Sequence, residues 1–345
     1  MKKVLLGMSG GVDSAAAALL LKNEGYAVTG VTLLLHGCAN AERDAQDAAR
    51  VAEMLGIAHL TLDLSADFTR EVMQRFADEY RCGRTPNPCI DCNREIKFGA
   101  MLRYALGEGF DYIATGHYAR VEFDGAHYRL LRGCDRAKDQ SYVLYQLTQF
   151  ELAHLLLPLG GYSKAEVRAL AAEAELICAQ RPDSQDICFI PDGDHLRFLR
   201  EFGGIEGEAG NFVDTSGKVL GRHKGLHAYT TGQRKGLGVS ADRPLYVLSK
   251  NAADNTVLLG DDRELFASAL EAKKPSWTLD APTQAIRVTA KTRYSQREAA
   301  ATVFPEGDTL RVVFDEPQRA ITAGQAVVFY DGETVLGGAT IEKPL

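Results

Sequence analysis

Two groups of residues have the types and the spacing to do chemistry. Ser9-Gly10-Gly11-Val12-Asp13-Ser14 stands between an apolar run at 3–8 and a helical pattern at 14–24. There, glycines let backbone N–H groups converge on a phosphate at a helix N-terminus. The segment has neither Gly-Lys-Ser/Thr nor Gly-x-Gly-x-x-Gly, so it is a phosphate cradle of another class. The second group is made of thiols. Thr85-Pro86-Asn87-Pro88-Cys89-Ile90-Asp91-Cys92-Asn93 holds two cysteines three positions apart, and Asp183-Ser184-Gln185-Asp186-Ile187-Cys188-Phe189-Ile190 brings a third. Structural zinc wants four ligands, normally from two such pairs. A redox thiol pair or a sulfur carrier fits better, because a following helix N-terminus and the flanking Arg84 and Arg94 favour thiolate. Cys38, Cys82, Cys134 and Cys178 lie in no motif and read as core or surface thiols.

The elements that must position these groups are legible as periodicity. Strand-like runs at 3–8, 27–35, 58–64 and 111–115 alternate with helical patterns at 14–24, 42–55, 66–80 and 94–106, and the prolines keep 81–93 as a loop. This alternation predicts an α/β fold: a parallel sheet with helices on both faces and ligands at the carboxyl ends of its strands. Ser163-Lys164-Ala165-Glu166 is a capping-box start for a helix to about 176, and 183–191 reads as extended. After about 205 the chain turns glycine-rich and β-like, with hairpins expected at 215–217 and 251–255; alternating runs at 285–289, 310–314, 326–330 and 335–341 predict a small antiparallel barrel. The expected domains are 1–196, 197–264 and 265–345.

Composition narrows the partners. The chain has 345 residues, 46% hydrophobic and 25% charged, as an ordinary folded protein does. No run reaches the roughly 20 apolar residues that cross a bilayer, and the first residues are too short an apolar stretch for a signal peptide, so a cytoplasmic protein without a membrane partner is expected. Seven cysteines then argue against a disulfide framework. The net charge is −7, yet Lys218, Arg222, Lys224, Arg234, Lys235, Arg243 and Lys250 cluster with Asp242 alone, and Arg287, Lys291, Arg293 and Arg297 with no acid. Two basic strips in an acidic protein suggest a polyanion-binding face.

With these segments in view, the phosphate cradle resembles the pyrophosphatase loop of enzymes that split ATP into AMP and pyrophosphate while adenylating a substrate. The chain as a whole resembles the bacterial tRNA-specific 2-thiouridylases (MnmA type). Besides the loop, the likeness rests on the cysteine runs Thr85 to Phe98 and Ser184 to Ile190, and on Ala114-Thr115-Gly116-His117-Tyr118, Lys138-Asp139-Gln140-Ser141-Tyr142, Tyr229-Thr230-Thr231-Gly232-Gln233-Arg234-Lys235-Gly236-Leu237-Gly238 and Lys291-Thr292-Arg293-Tyr294. It implies an adenine nucleotide alpha hydrolase-like N-terminal domain, a central tRNA-binding domain and a C-terminal barrel. It implies a tRNA-uridine 2-sulfurtransferase that uses ATP and Mg²⁺ to thiolate the wobble uridine. Gly7, Met8, Ser9, Gly10, Gly11, Val12, Asp13 and Ser14 would hold the phosphates, and Leu33 and Gly116 the adenine and ribose. Asn87, Pro88 and Cys89 would meet the target base, and His117, Lys138, Asp139, Gln140, Arg293, Tyr294 and Gln325 the tRNA. Cys92 matches the family's nucleophile and Cys188 its persulfide carrier. The two would end each turnover as a disulfide. A cysteine desulfurase or a sulfur relay protein would load Cys188, and the chain is expected to act as a monomer.

One position departs from the family: Cys89 stands where an aspartate, proposed as a general base, is common. A thiol with an ordinary pKa of about 8.5 is a poorer base at neutral pH, so Cys89 is either a substitute base or a ligand. In the second case Cys89, Cys92 and Cys188 would hold a [4Fe–4S] cluster with one open iron. Because Cys92 and Cys188 belong to distant segments, one or both are expected to move when tRNA binds. The rival readings are another adenylating synthetase, which would share the loop without needing paired thiols, and a tRNA-binding protein without catalysis, which would not need the loop.

Overall fold

The computed structural model describes residues 1–37, 41–179 and 187–345. Cys38 and the segment Asp183-Ser184-Gln185-Asp186 therefore lie outside the described residues. β1 (Lys3–Gly7), α1 (Val12–Asn23), β2 (Ala27–Leu34), α2 (Ala41–Leu55) and β3 (Ala58–Asp63) follow each other as the apolar runs predict. Val4, Leu5 and Leu6 have no exposed surface, which is why β1 is apolar on both faces. Next, α3 (Ser65–Phe68) passes through wide π-helical turns at Thr69–Gln74 into α4 (Arg75–Arg81).

The stretch at 81–93 is corrected. α5 (Pro88–Asp91) starts a helix that widens over Cys92–Ala100 and closes as α6 (Met101–Gly107). Proline at the first helical position sacrifices no hydrogen bond and has its backbone angle already set; Asn87 caps the turn by accepting the Cys89 N–H at 3.1 Å. Cys89 and Cys92 therefore ride on the first turns of a helix. They do not precede it.

β4 (Tyr112–Ala114) re-enters the sheet, β5 (Ala119–Phe123) and β6 (Tyr128–Arg132) form a hairpin outside it, and α7 (Gln149–Ala153) leads to β7 (Leu155–Leu156). The sheet order is β3-β2-β1-β4-β7, with every pair parallel. The chain thus reverses its direction across the sheet at β1 and β4, where a crevice opens beyond the strand ends. α8 (Lys164–Glu173) begins with the expected capping box between Ser163 and Glu166 and packs on α1. The extended reading of 183–191 is not met in its described part: Ile190 N–H donates to Ile187 at 2.8 Å, closing a turn.

After α9 (His195–Glu201), β8 (Gly210–Val213), β9 (Val219–His223), β10 (Tyr246–Asn251) and β11 (Thr256–Gly260) build a sheet in the order β10-β11-β8-β9, with both expected hairpins and a parallel β11–β8 pair. β12 (Phe266–Trp277), β13 (Ile286–Lys291), β14 (Ala299–Glu306), β15 (Thr309–Arg319), β16 (Ala326–Asp331) and β17 (Thr334–Pro344) close an antiparallel barrel through the β12–β17 pairing. β17 also pairs with β6 at Thr334 and Leu131, so the hairpin of the first half is stitched to the barrel. Among the described residues, no helix is long and apolar enough to cross a membrane.

Candidate active site

The first half of the site is built by backbone. β1 ends in the loop where Gly10 adopts φ +69°, a conformation costly for any residue with a Cβ. Gly11 precedes α1 and offers no capping side chain, so the first N–H groups of that helix face the crevice. Ser14 stiffens the turn: its hydroxyl donates to the Gly11 carbonyl at 3.1 Å and accepts the Ser9 N–H at 3.2 Å. Met8 is held from β2, since its carbonyl accepts the Thr32 hydroxyl at 2.9 Å. Gly116, just beyond β4, presses on the loop so closely that an added Cβ would lie 3.0–3.1 Å from backbone and Cβ atoms of Asp13 and Ser14. The result is a preset anion site at the switch point; Leu33, on β2, is half-buried. Asp13 accepts from the Tyr118 hydroxyl at 2.7 Å and from Lys164 at 2.7 and 2.8 Å.

The second half is built by side chains. Cys92 is 8% exposed and belongs to an apolar cluster with Phe68, Phe76, Phe189 and Phe198. Burial pushes its thiol up to about 12. Cys89, one turn earlier, opens to solvent at the floor of a crowded recess whose walls also raise its thiol. Cys188 is exposed on the turn that buries Phe189, whose ring contacts Phe68, Phe76 and Phe198 at 5.7, 5.5 and 5.0 Å between centroids. Ionising Cys188 would oppose ionisation of Cys89 and Cys92, while the Lys97 ammonium favours it in both. Burial pushes Asp91 up to about 6, against the pull of Arg75 and Arg94.

His117 joins the two halves. It is buried and shares a hydrogen bond of 2.6 Å between its Nδ1 and the Thr115 hydroxyl; burial, and secondarily Lys97, hold its pKa well below the ordinary histidine value. Tyr294 reaches over from the barrel, 42% exposed, edge-on to Tyr142 and within electrostatic range of Cys89; the Lys291 ammonium lies 5.8 Å from its ring centre. An exposed ring beside the recess could stack on a nucleobase.

Other anticipated contacts are engaged within the protein. Asp139 is buried and accepts from Gly133 N–H and from the Ser141 N–H and hydroxyl. Gln140 accepts the Tyr118 N–H at 3.0 Å. Lys138 is half-buried and closes a turn on the Asp135 carbonyl at 3.1 Å. Gln325 donates to the Thr85 carbonyl at 2.7 Å, docking the segment before Pro88 on the barrel. Arg293 donates to the Thr231 and Ala320 carbonyls at 2.9 and 3.0 Å and to the Thr322 hydroxyl, so it ties the Gly232–Gly238 loop to the barrel. In that loop Gly232, Gly236 and Gly238 all have positive φ, and Arg234 and Lys235 are presented outward. The basic strips are less uniform than the sequence suggests: Lys250 is turned inward onto the Tyr229 carbonyl and Arg287 is paired with Asp315. Lys164, Tyr118 and Lys97 are contributors to which sequence reasoning gives no role, although the capping box holds Lys164 and the runs 114–118 and 85–98 that carry the family likeness hold Tyr118 and Lys97.

The amides at the start of α1 are donors of the kind a nucleotide's phosphates require. An iron–sulfur cluster does not fit the site. Among the described residues, no three Cys, His, Asp or Glu side chains are grouped to hold a metal.

Comparison with known proteins agrees along the chain. Residues 2–192 match the family described as tRNA methyl transferase HUP domain, 197–261 the tRNA methyl transferase PRC-barrel domain and 267–341 the aminomethyltransferase beta-barrel domain. The tRNA-specific 2-thiouridylase MnmA of Carboxydothermus hydrogenoformans is 49% identical over 361 residues, covering 100% of this chain and 98% of that one. That of Acetivibrio thermocellus is 46% identical over 356 residues, with 99% of each covered. Among solved structures, the U34-tRNA thiolase NcsA of Methanococcus maripaludis, determined with its [4Fe–4S] cluster, is 19% identical with a TM-score of 0.36, covering 59% of this chain and 72% of that one, too distant to bear on the site. A phosphate loop at the switch point, thiols on two distant segments, and relatives 46–49% identical over nearly their whole length lead to one assignment: the chain belongs to the tRNA-specific 2-thiouridylase family.

Proposed function

We infer that this chain thiolates carbon 2 of the wobble uridine of tRNA, using ATP to activate the oxygen that leaves and a cysteine persulfide as the sulfur source. One observation supports the reading: Cys89 and Cys92 feel the charge of Cys188 and of Lys97, and Lys97 also acts on His117, next to the glycine that presses on the phosphate loop. Activation and sulfur delivery would then be linked through His117 and Lys97.

Uracil O2 is a poor leaving group. Its attack on the α-phosphorus of ATP forms an O–P bond, breaks the bond to the bridging oxygen and sends that electron pair out with pyrophosphate. The amides at the start of α1 stabilise the departing charge. Mg²⁺, which the family's use of ATP implies, would supply further charge neutralisation on the phosphates, with Asp13 and Ser14 the oxygen-bearing side chains nearest the loop. The terminal sulfur of a Cys188 persulfide adds to carbon 2, and AMP departs with the former O2. Cys92, as thiolate, attacks the Cys188 sulfur; the sulfur–sulfur bond to the base breaks, leaving 2-thiouridine and a Cys92–Cys188 disulfide that cellular thiols reduce. A persulfide donor protein reloads Cys188, which its exposure allows. Since Cys92 is buried, this sequence requires the Phe189 turn to lift, and tRNA binding is the step that supplies the energy.

The test is to measure both half-reactions. Pyrophosphate release should depend on tRNA with an unmodified wobble uridine, and Cys188→Ser should lose sulfur incorporation entirely while still releasing pyrophosphate on first mixing. AMP formation without tRNA would favour a metabolite synthetase, and tRNA binding without ATP consumption a module that only binds.

A further inference from the structure

Lys164 lies far along the chain from the phosphate loop, yet its ammonium sits 2.7 and 2.8 Å from the two Asp13 oxygens. Its side chain is only 12% exposed and Asp13's 34%. Three elements converge to hold it there. α8 packs on α1; the Lys164 N–H donates to Asp135 at 3.0 Å; and Tyr118 places its hydroxyl on Asp13 with its ring 5.8 Å from the ammonium. A structural ion pair alone has no need to lie at the mouth of an anion site. A mostly buried lysine beside open helix-start amides is instead a cation held close to where phosphate charge arrives.

We propose that Lys164 is the pyrophosphate-binding cation of the adenylation step: paired with Asp13 while the loop is empty, its ammonium swings onto the β- and γ-phosphates when ATP enters. The proposal rests on the reading of the loop as an ATP phosphate site. When the bond between α-phosphorus and bridging oxygen breaks, the electron pair stays on the β-phosphate oxygen. Lys164 would meet that developing charge without donating a proton, and Asp13 would be left to other phosphate-associated cations. Tyr118 keeps Asp13 from following the ammonium. Lys164 is thereby a catalytic residue that touches the leaving group, distinct from the loop amides because it acts as a full charge.

Calorimetric titration of the whole protein without tRNA tests this, using inorganic pyrophosphate in EDTA, so that no magnesium enters, and AMP as the control. Lys164→Gln should weaken pyrophosphate binding by roughly tenfold or more and leave AMP within about twofold, and Lys164→Arg should recover most of the loss. The double variant Asp13→Asn/Lys164→Gln removes both charges at once. It should regain thermal stability lost in Lys164→Gln while pyrophosphate binding stays weak, and it supplies the comparison should the single variant fail to fold. Recovery of pyrophosphate affinity in the double variant, or wild-type affinity in Lys164→Gln, would make the pair purely structural and overturn the proposal. If the wild-type protein binds neither pyrophosphate nor AMP, the reading of the loop falls and takes this assignment with it.

Discussion

The phosphate loop and the thiol recess differ in the material from which they are made. The loop is backbone and small residues, its shape set by Gly10, the Ser14 hydroxyl bonds and the close approach of Gly116, so it is ready for its ligand as it stands. The recess is made of side chains, and Cys92, the proposed nucleophile, is buried in the aromatic cluster that includes Phe189, with its thiol at about 12. The difference follows the hazard each half carries. An idle anion site does no harm, whereas an idle thiolate beside a persulfide would exchange with any passing thiol. Pre-organisation on one side and concealment on the other suit the proposed mechanism, in which nucleotide and tRNA precede sulfur.

The largest test of that contrast is chemical labelling. With its thiol near 12, only about one Cys92 in ten thousand is thiolate at pH 8, and the apolar cluster also blocks access. Iodoacetamide should label Cys92 about a thousandfold more slowly than exposed Cys82, with a rate that climbs with pH without levelling below about pH 10, as peptide mass spectrometry can follow. Phe189→Ala or bound tRNA should speed it. Equal labelling of both thiols in the free protein would break the comparison.

Gly116→Ala probes the rigid half. The new Cβ would press on Asp13 and Ser14 at about the spacing where something must shift, and overpacking of this kind costs about 1–3 kcal/mol. ATP affinity should fall about tenfold while Cys92 labelling stays as in the wild type. A change confined to labelling would mean that the two halves are coupled more tightly than their construction suggests.

A smaller effect comes from Asp91. Its carboxyl is raised to about 6 in the fold, chiefly by burial, above its unfolded value near 3.8. Between those values the folded state binds the extra proton, so stability is greatest below about pH 4, declines as pH rises through 6, and stays lowered above. Asp91→Asn should flatten this profile and raise stability at pH 7.5 by about 1–2 kcal/mol, read from urea midpoints at several pH values. An unchanged profile would show that Arg75 compensates the burial fully.

Much of the fold was legible because period and caps speak locally. The five first elements, the Ser163 capping box and both hairpins of the central sheet stand where the pattern puts them. The start at Pro88 was misread because proline blocks a helix interior yet favours its first position, and only the Asn87 cap distinguishes the two. β12 and β14 were missed because lysine-rich and alanine-rich runs alternate weakly. The thiols stand out by residue type, but nothing local says that Cys92 is buried in one cluster with Phe189, or that Lys164 reaches Asp13 from another helix. Such contacts are facts of packing between distant segments.

The smallest effect tests how far the cover on the thiol side depends on local structure. Asn87 accepts the Cys89 N–H and so fixes the first turn that carries both cysteines. Asn87→Ala leaves that N–H uncapped and should cost about 1 kcal/mol. Fraying of the first turn would move Cys89, whose thiol already opens to solvent, and should raise its labelling severalfold. Cys92 begins the wide turns that follow and is held by the aromatic cluster, so its labelling should stay slow. If both thiols were released together, the cap would be what conceals Cys92. If Cys89 alone responds, concealment belongs to Phe189, and the turn bearing Cys188 is the element that must move for sulfur to pass.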